Sequence, residues 1–197
     1  MNQLSIKSVA AVLLIIQALA AASCTSGRIQ RLIKSQKLVG VNLSGYDFYN
    51  LRLPEINLTR ARLVRTSFTF CNMRSARLVN ADLRLADLSA TDLSKADLRG
   101  ANLRGAKCHN AIFRESVLID AYFYDADLSG ADMRDAIMVS DAPVDNSAVP
   151  AGAHPDEATN YAHFRNADFS GAAVSSRWKT FIKMQGVRNY DKIIWAK

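Results

Sequence analysis

Hydrophobic residues recur at every fifth position over about half of the chain. From Leu38 to Met138, each fifth residue is Leu, Phe, Met or Cys, and from Ala61 to Ala136 the residue two places earlier is Ala, Thr, Ser or Cys. An α-helix repeats every 3.6 residues and a strand every 2, so neither keeps this register. The pattern predicts a repeat architecture in which each unit adds one small and one large side chain to a shared core.

The clearest run of the repeat is ADLRLADLSATDLSKADLRGANLRGA, residues 81–106. It resembles the pentapeptide-repeat family, whose consensus is A-(D/N)-L-x-x. The resemblance implies an all-β solenoid, a right-handed quadrilateral β-helix in which four repeats form one coil and residues twenty apart stack. Asp87, Lys107 and Asp127 lie at intervals of twenty and would form a ladder of alternating charge on one face.

The ends of the chain interrupt the repeat and define its organisation. Bulky residues such as Tyr46 replace the small residue in the first coil, and the apolar face of residues 28–34 predicts a short N-terminal capping helix. After Met138 a Pro-containing loop intervenes, and the repeat resumes with its frame shifted by one residue. Ser175 or Ser176 is the predicted N-cap of a C-terminal helix.

The predicted segments are a signal peptide (1–23), an anchor or linker with the N-terminal cap (24–37), the pentapeptide-repeat β-helix (38–140), an inserted loop (141–160), a partial terminal coil (161–174), and the C-terminal helix and tail (175–197).

The first 27 residues are typical of an exported protein. Lys7 precedes a run of uncharged residues that is short for a membrane span, and small residues lead into Cys24. This junction resembles the lipobox of bacterial lipoproteins, which implies a lipid-anchored Cys24 at the cell envelope. Thr25 after the cysteine implies the outer membrane, facing the periplasm, if the organism is Gram-negative. An A-x-A cut at Ala20–Ala22, giving a soluble periplasmic protein, and an uncleaved or cytosolic chain remain alternatives.

Apolar residues also appear at outward positions near the C-terminal end of the predicted rod. Such a patch is uncommon on soluble monomers and indicates a contact surface. Two covers are available: the predicted C-terminal helix, docking through Trp178, Phe181 and Ile182, or a second copy of the chain in a homodimer. The candidate patch consists of Ile112, Val117, Ile119, Tyr122, Tyr124, Ile137 and Val139.

The sequence contains no recognisable catalytic or cofactor motif. Cys71 and Cys108 fall on inward positions of different faces, nearly two coils apart, so we expect buried, unbonded thiols. His154 and His163, with the acids of the inserted loop, match no ligand spacing, so neither a metal nor another cofactor is expected. Arg84, Arg99 and Arg134 each follow an Asp by two residues, which predicts a self-neutralised surface rather than an anion site.

Charge separates the two functional hypotheses that remain. The chain has a net charge of +7, yet residues 38–138 hold 13 Lys and Arg against 12 Asp and Glu. Some members of the family mimic duplex DNA and bind type II topoisomerases in the cytoplasm, a role that needs an acidic rod. The near-neutral rod and the leader instead favour a non-catalytic binding or scaffolding module at the cell envelope, with a membrane anchor and a protein partner and without nucleic acid.

Overall fold

The computed structural model describes residues 38–139 and 162–197 of the 197-residue chain. The predicted signal peptide, Cys24, the N-terminal capping helix and the inserted loop 141–160 all lie outside these residues. In the part of the chain that is described, no helix has the length and apolar character needed to cross a membrane.

Each five-residue unit makes the same turn. In the first unit the amide of Val41 donates to the carbonyl of Leu38 at 3.4 Å, which closes a β-turn over Val39 and Gly40. The third residue of the turn has a positive φ at every fifth position from 40 to 135, whichever residue stands there. A β-turn with a positive φ at its third residue alone is of type II. The repeated turn changes the direction of the chain after each pair of inward side chains.

Units that lie twenty residues apart pair through their backbones. Parallel bridges join Asn42 to Arg62, Arg62 to Asp82 and Asp82 to Asn102. The amide of Leu43 donates to the carbonyl of Arg62 at 2.8 Å, and the amide of Arg62 donates back to the carbonyl of Val41 at 2.8 Å. Four units therefore form one coil, and coils stack about 4.8 Å apart. We number the coils 1 to 5 as residues 38–57, 58–77, 78–97, 98–117 and 118–137.

The core fills the interior of the coils with the two inward positions of each unit. Ala101 is fully buried, as are its neighbours along the bore. The rings of Phe48 and Phe68, one coil apart, stack at 5.0 Å. Where the small residue is polar it is satisfied, since the hydroxyl of Thr66 donates to the carbonyl of Leu43 at 2.8 Å. Small hydroxyl residues fit this interior because carbonyls of the preceding coil lie within reach.

The repeat resumes in register after the inserted loop. His163 pairs in parallel with Tyr122, and the ring of Phe164 stacks on that of Phe123 at 5.1 Å. The next units continue the pairing, because β1 (Asp132–Met133) pairs in parallel with β2 (Ala173–Ser175). The ring stack from Phe123 to Phe164 thus continues across the shift of the frame by one residue.

The C-terminal residues form a short helix followed by a further rung of the sheet. A 3-10 helix, Ser176–Trp178, leads into α1, Lys179–Met184. A second 3-10 helix, Tyr190–Lys192, precedes β3, Ile194–Ala196. Because β3 pairs in parallel with β2, the sheet order is β1-β2-β3 and the tail extends the solenoid.

Ser175 stands in the predicted N-cap position, before the 3-10 helix, but it does not cap the helical segment through its side chain. Ser175 belongs to β2, and Trp178 is the residue before α1, with no side-chain capping bond at either place. The hydroxyl of Ser175 instead accepts the backbone amide of Asp135 at 2.9 Å. That amide faces the next coil, so the side chain supplies the acceptor that a regular repeat would provide from its backbone.

The narrow interior predicts a large difference between inward and outward substitutions. Ala101→Leu should lower the free energy of unfolding by about 1–3 kcal/mol, because the closely packed bore has no room for three more carbons. Lys95→Ala removes only an exposed contact with Glu115 at 3.4 Å and should stay within about 0.5 kcal/mol of neutral. Urea unfolding measures both; equal effects would contradict the inward assignment of Ala101.

Candidate interaction surface

Outward side chains change from charged to apolar toward the C-terminal end. One column of bridged residues runs Arg77, Asp97, Val117 and Ile137, one residue from each successive coil. The first two positions are charged and the last two are aliphatic. Because the backbone is the same in all four coils, the change lies in the side chains and not in the fold.

Six of the candidate residues lie on four neighbouring columns. Val117 and Ile137 share a face, Ile119 and Val139 occupy the corner that follows it, and Tyr122 and Tyr124 belong to the next face and its corner. Ile137 is 42% exposed, and the others are half-buried. We call these six residues the C-terminal patch: Val117, Ile119, Tyr122, Tyr124, Ile137 and Val139.

The structure separates Ile112 from the other six candidates. It pairs with Asp92 on one side and with Asp132 on the other, so acidic residues flank it in its own column. The corner between Ile112 and Val117 carries Arg114, whose guanidinium donates to Asp132 at 2.5 Å. A charged corner therefore interrupts the apolar surface, and Ile112 does not belong to the C-terminal patch.

An aromatic cluster extends the patch across the inserted loop. The ring of His163 stacks on Tyr122 with centroids 4.8 Å apart and lies 5.7 Å from the ring of Tyr124. The Tyr124 hydroxyl is 3.3 Å from Nδ1 of His163, and the Arg104 guanidinium lies 4.7 Å over the Tyr124 ring. His163 is buried, so the cluster fixes the orientation of both tyrosines.

Neither His163 nor Arg104 was predicted from the sequence to belong to this surface. Its frame shift did imply that His163, immediately before Phe164, follows Tyr122 in the same column. Arg104 lies twenty residues before Tyr124, and this interval indicates that the two residues stack in one column. Both contacts depend on stacking between coils, which the linear order of the residues does not display.

The C-terminal helix packs against the end of the solenoid. Ile182 is fully buried, and the ring of Phe181 lies 6.5 Å from that of Phe164. The indole of Trp178 donates to the carbonyl of Ala136 at 3.0 Å. In a regular coil such a carbonyl accepts an amide from the next coil, so Trp178 stands in for a missing repeat.

This position of the helix leaves the side of the rod open. Gln185, just after α1, accepts the amide of Phe164 at 3.3 Å, which again replaces a partner from a further coil. Ile137 remains 42% exposed although it follows Ala136 directly. The helix, one of the two covers considered from the sequence, therefore does not cover Ile137.

The middle of the rod neutralises its own charges, as predicted. Nε of Arg84 donates to Asp82 at 2.8 Å, and Arg99 makes the same pair of bonds to Asp97 at 2.8 and 2.5 Å. The hydrogen bonds and charge of Arg84 hold the pKa of Asp82 below its usual value. Arg134 is bound in the same way to Asp132 at 2.8 and 2.6 Å. This part of the surface is therefore poorly suited to hold an anion.

A family model describes the repeat directly. The model for pentapeptide repeats matches residues 42–78, 66–105, 81–118 and 101–138, with eight copies. A solved pentapeptide repeat protein from the thylakoid lumen of Arabidopsis thaliana is 30% identical. The match covers 52% of this chain and 70% of that one, with a TM-score of 0.50.

The chain belongs to the pentapeptide-repeat family. Other solved structures match the chain at lower similarity. HetL, a pentapeptide repeat protein involved in heterocyst differentiation regulation in the cyanobacterium Nostoc, is 25% identical over 77% of this chain and 66% of its own, with a TM-score of 0.29. Full-length QnrB1, a plasmid-mediated fluoroquinolone resistance protein, is 15% identical over 80% of this chain and 73% of its own, with a TM-score of 0.42. No curated protein sequence matches the chain.

Cysteine and histidine chemistry adds no second site in the described part of this pentapeptide-repeat protein. Cys71 and Cys108 are free and buried, and burial raises the pKa of the Cys71 thiol to about 11. Desolvation by burial also raises the pKa of the Cys108 thiol. Within residues 38–139 and 162–197, no group of three or more His, Cys, Asp or Glu could hold a metal ion. His154 and the acids of the loop lie outside these ranges.

The paired carboxylates predict how stability depends on pH. Burial raises the pKa of Asp97, but its bonds to Arg99 outweigh burial, so the pKa lies below its ordinary value, as it does for Asp82. A lowered pKa contributes stability above the unfolded value near 3.9 that is lost as the pH falls through the folded value. Thermal unfolding between about pH 6 and 2 should show this loss, and Asp82→Asn with Asp97→Asn should weaken it.

Asp120 provides the matched control for this pH dependence. Desolvation raises the pKa of Asp120, which makes no ion pair among the described residues. Its ionisation therefore opposes folding above the unfolded pKa, and Asp120→Asn should stabilise the protein at neutral pH. The same direction of change in Asp120→Asn and in the double variant would contradict the assignment.

Proposed function

We propose that this pentapeptide-repeat protein is a non-catalytic binding module held at the cell envelope by a lipid on Cys24. Its C-terminal patch contacts a protein partner that has an apolar centre and an acidic edge. Residues 24–37 link the anchor to the solenoid and cap its first coil, and the rod is a right-handed quadrilateral β-helix. The main observation in support of this contact surface is the change from charged to aliphatic side chains along one column, which runs Arg77, Asp97, Val117 and Ile137.

The chemistry of the patch supports this choice of partner. Its centre is aliphatic around Ile137, and Tyr122 and Tyr124 offer large rigid rings of the kind that dominate binding energy in interfaces. Along the edge beyond Tyr124 lie Arg104, over its ring, and the exposed Arg165. A carboxylate on the partner would complement these two arginines without being buried.

The alternative function is binding to a topoisomerase by mimicry of duplex DNA in the cytoplasm. The likeness to QnrB1 concerns the fold, and at 15% identity it carries no residue-level argument. Duplex DNA carries a dense negative charge along its whole length. This rod holds 13 basic against 12 acidic residues over 38–138, which argues against mimicry.

A charged double variant tests the contact surface. Ile119→Asp with Ile137→Asp should abolish crosslinking to the partner in cells, because an unpaired carboxylate at the centre of an interface weakens binding about thirtyfold or more. Both side chains point outward, so the urea midpoint should change little. Crosslinking on membrane fractions followed by mass spectrometry, and sedimentation of the purified chain, provide the measurements.

The same columns provide a matched control for this experiment. Asn57→Asp with Thr59→Asp places the same two charges on the same face and corner in coils 1 and 2. This control should retain the crosslinked partner. An unchanged crosslinking pattern in the double variant would refute the contact surface. If sedimentation shows that the unmodified chain is a dimer and the double variant a monomer, the partner at this surface is a second copy of the chain and not a different protein.

The anchor predicts a defined processing defect. Cys24→Ser removes the thiol that would accept the lipid, so the variant should accumulate as an uncleaved precursor without incorporated fatty acid. Metabolic labelling with a fatty acid, read with the size of the product, measures both effects. Cys71→Ser is the control, since Cys71 is a buried core residue and should leave labelling intact. Normal cleavage and release of Cys24→Ser would indicate the A-x-A site instead.

A further inference from the structure

The net positive charge of the chain lies in its first 80 residues. They hold 11 of the 25 Lys and Arg residues of the chain but only two of its 18 Asp and Glu residues, Asp47 and Glu55. This part therefore has an excess of nine positive charges, whereas the remainder has an excess of two negative charges. The near neutrality of the rod as a whole conceals this difference between its coils.

Besides Arg77, which ends coil 2, four arginines of coils 1 and 2 are exposed and make no ion pair within the described ranges. Arg74, nearby, is different because it contacts Asp92 at 3.2 Å. We call the four residues the basic collar: Arg52, Arg60, Arg62 and Arg65. Asp82, which lies next to Arg62 in its column, is bound by Arg84, so all four arginines remain available to an external anion.

The basic collar has residues on two opposite sides of the rod, with three of its four members on one face and its corners. Arg60 and Arg65 stand at the two corners on either side of Arg62, and both have a positive φ. Arg52 belongs to a column half a coil away, on the opposite side from Arg62. Both coils lie within roughly 10 Å of the N-terminal end, which is close to the screening length at physiological salt. This distribution suits a flat anionic surface that meets the end of the rod.

An exposed aromatic pair lies at the same level of the rod. The rings of Tyr49 and Phe70 contact edge to face at 5.8 Å and are 58% and 55% exposed. Phe70 has a φ of +60°, a conformation that favours Gly or Asn over a bulky residue. Phe70 is exposed, so burial in the core does not explain its presence, and with Tyr49 it forms a pair of exposed rings at the level of the basic collar. Aromatic rings of this kind favour the headgroup level of a membrane.

We propose that the N-terminal end of the solenoid binds anionic lipid headgroups end-on, through the basic collar and the aromatic pair. This inference rests on the proposed location at the cell envelope. The 37 residues that precede coil 1 contain the apolar run and four further basic residues between Arg28 and Lys37, with no acid. A lipid surface accounts for basic residues on two opposite sides of the rod and for the exposed rings together. Duplex DNA would be expected to follow basic residues along one side.

Flotation with vesicles tests the inference without lipid on Cys24. The full chain is synthesised cell-free in the presence of phosphatidylcholine vesicles, with or without phosphatidylglycerol. Binding should require phosphatidylglycerol and weaken with salt. Arg60→Gln with Arg62→Gln and Arg65→Gln should reduce it about a hundredfold, since each arginine near an anionic surface contributes about fivefold. Binding to phosphatidylcholine alone measures the contribution of the leader, which is the same in every variant.

The opposite end of the protein supplies a control of equal charge. Arg165→Gln, Lys183→Gln and Lys192→Gln remove three exposed positive charges from the C-terminal region and should leave binding within about twofold of the unmodified chain. Equal loss in the two triple variants would mean that net charge alone drives binding, and would overturn the proposal.

A second pair of variants separates membrane contact from folding. Phe70→Asn suits the left-handed corner, so the urea midpoint should stay the same or rise while vesicle binding falls severalfold. Leu85→Asn is the control, because Leu85 is 50% exposed at an equivalent corner with a φ of +58° but lies one coil further from the end. It should bind normally. Unchanged binding in Phe70→Asn would remove the aromatic pair from the proposal.

The outcomes distinguish this inference from the proposed anchor. Acylated Cys24 with no preference for phosphatidylglycerol would overturn the inference and leave the anchor intact. Binding that depends on the basic collar, with Cys24 unmodified in cells, would support the inference and remove the anchor. Duplex DNA binding that depends on the basic collar, with no vesicle binding, would assign the surface to nucleic acid and overturn the inference.

Discussion

Parallel backbone pairing between residues twenty apart is the constraint on which the rest of this molecule depends. It requires a turn of constant geometry after each inward pair, with a positive φ at every fifth residue from 40 to 135. The chain accepts Arg, Phe and Leu at such places, although left-handed backbone costs about 1–2 kcal/mol for residues other than Gly. Pairing above and below each coil, together with a fully buried core, offsets this cost. The inserted loop is tolerated because it leaves the pairing of His163 with Tyr122 in place.

The same constraint determines which parts of the structure could be predicted from the sequence. The period of five, the inward ladder to Phe164 and the pairing of Asp82 with Arg84 all follow from positions that are fixed by the repeat. The start of the C-terminal helical segment could not be predicted in this way. The preference of Ser for capping a helix was opposed by the pairing of the same residue in the sheet. Ser175 extends the sheet and accepts an amide from Asp135, so Trp178 precedes the helix instead.

Contacts between coils were also predicted only in part. The apolar column of Val117 and Ile137 was visible in the sequence as a pair twenty residues apart. The separation of Ile112 from the rest of the candidate patch was not recognised. It depends on Arg114, which bends toward Asp132 in the coil below and places charge at the intervening corner. The stacking of His163 on Tyr122 likewise joins residues on opposite sides of the loop. Sequence periodicity predicts which columns exist, whereas side-chain conformation decides which neighbouring columns form one surface.

A solenoid offers outward positions that are nearly equivalent in backbone, so differences in side chains carry the information about function. In the middle coils the Asp and Arg of one unit satisfy each other, as Asp97 and Arg99 do. Near the N-terminal end the basic collar has no such partners, and near the C-terminal end the outward columns become apolar and aromatic. About three coils separate these two surfaces, which places them roughly 15 Å apart along the rod. A rigid rod with unlike ends and a self-neutralised middle suits the task of holding one partner at a set distance from another surface. Shortening it by one whole coil would change that distance without altering either end.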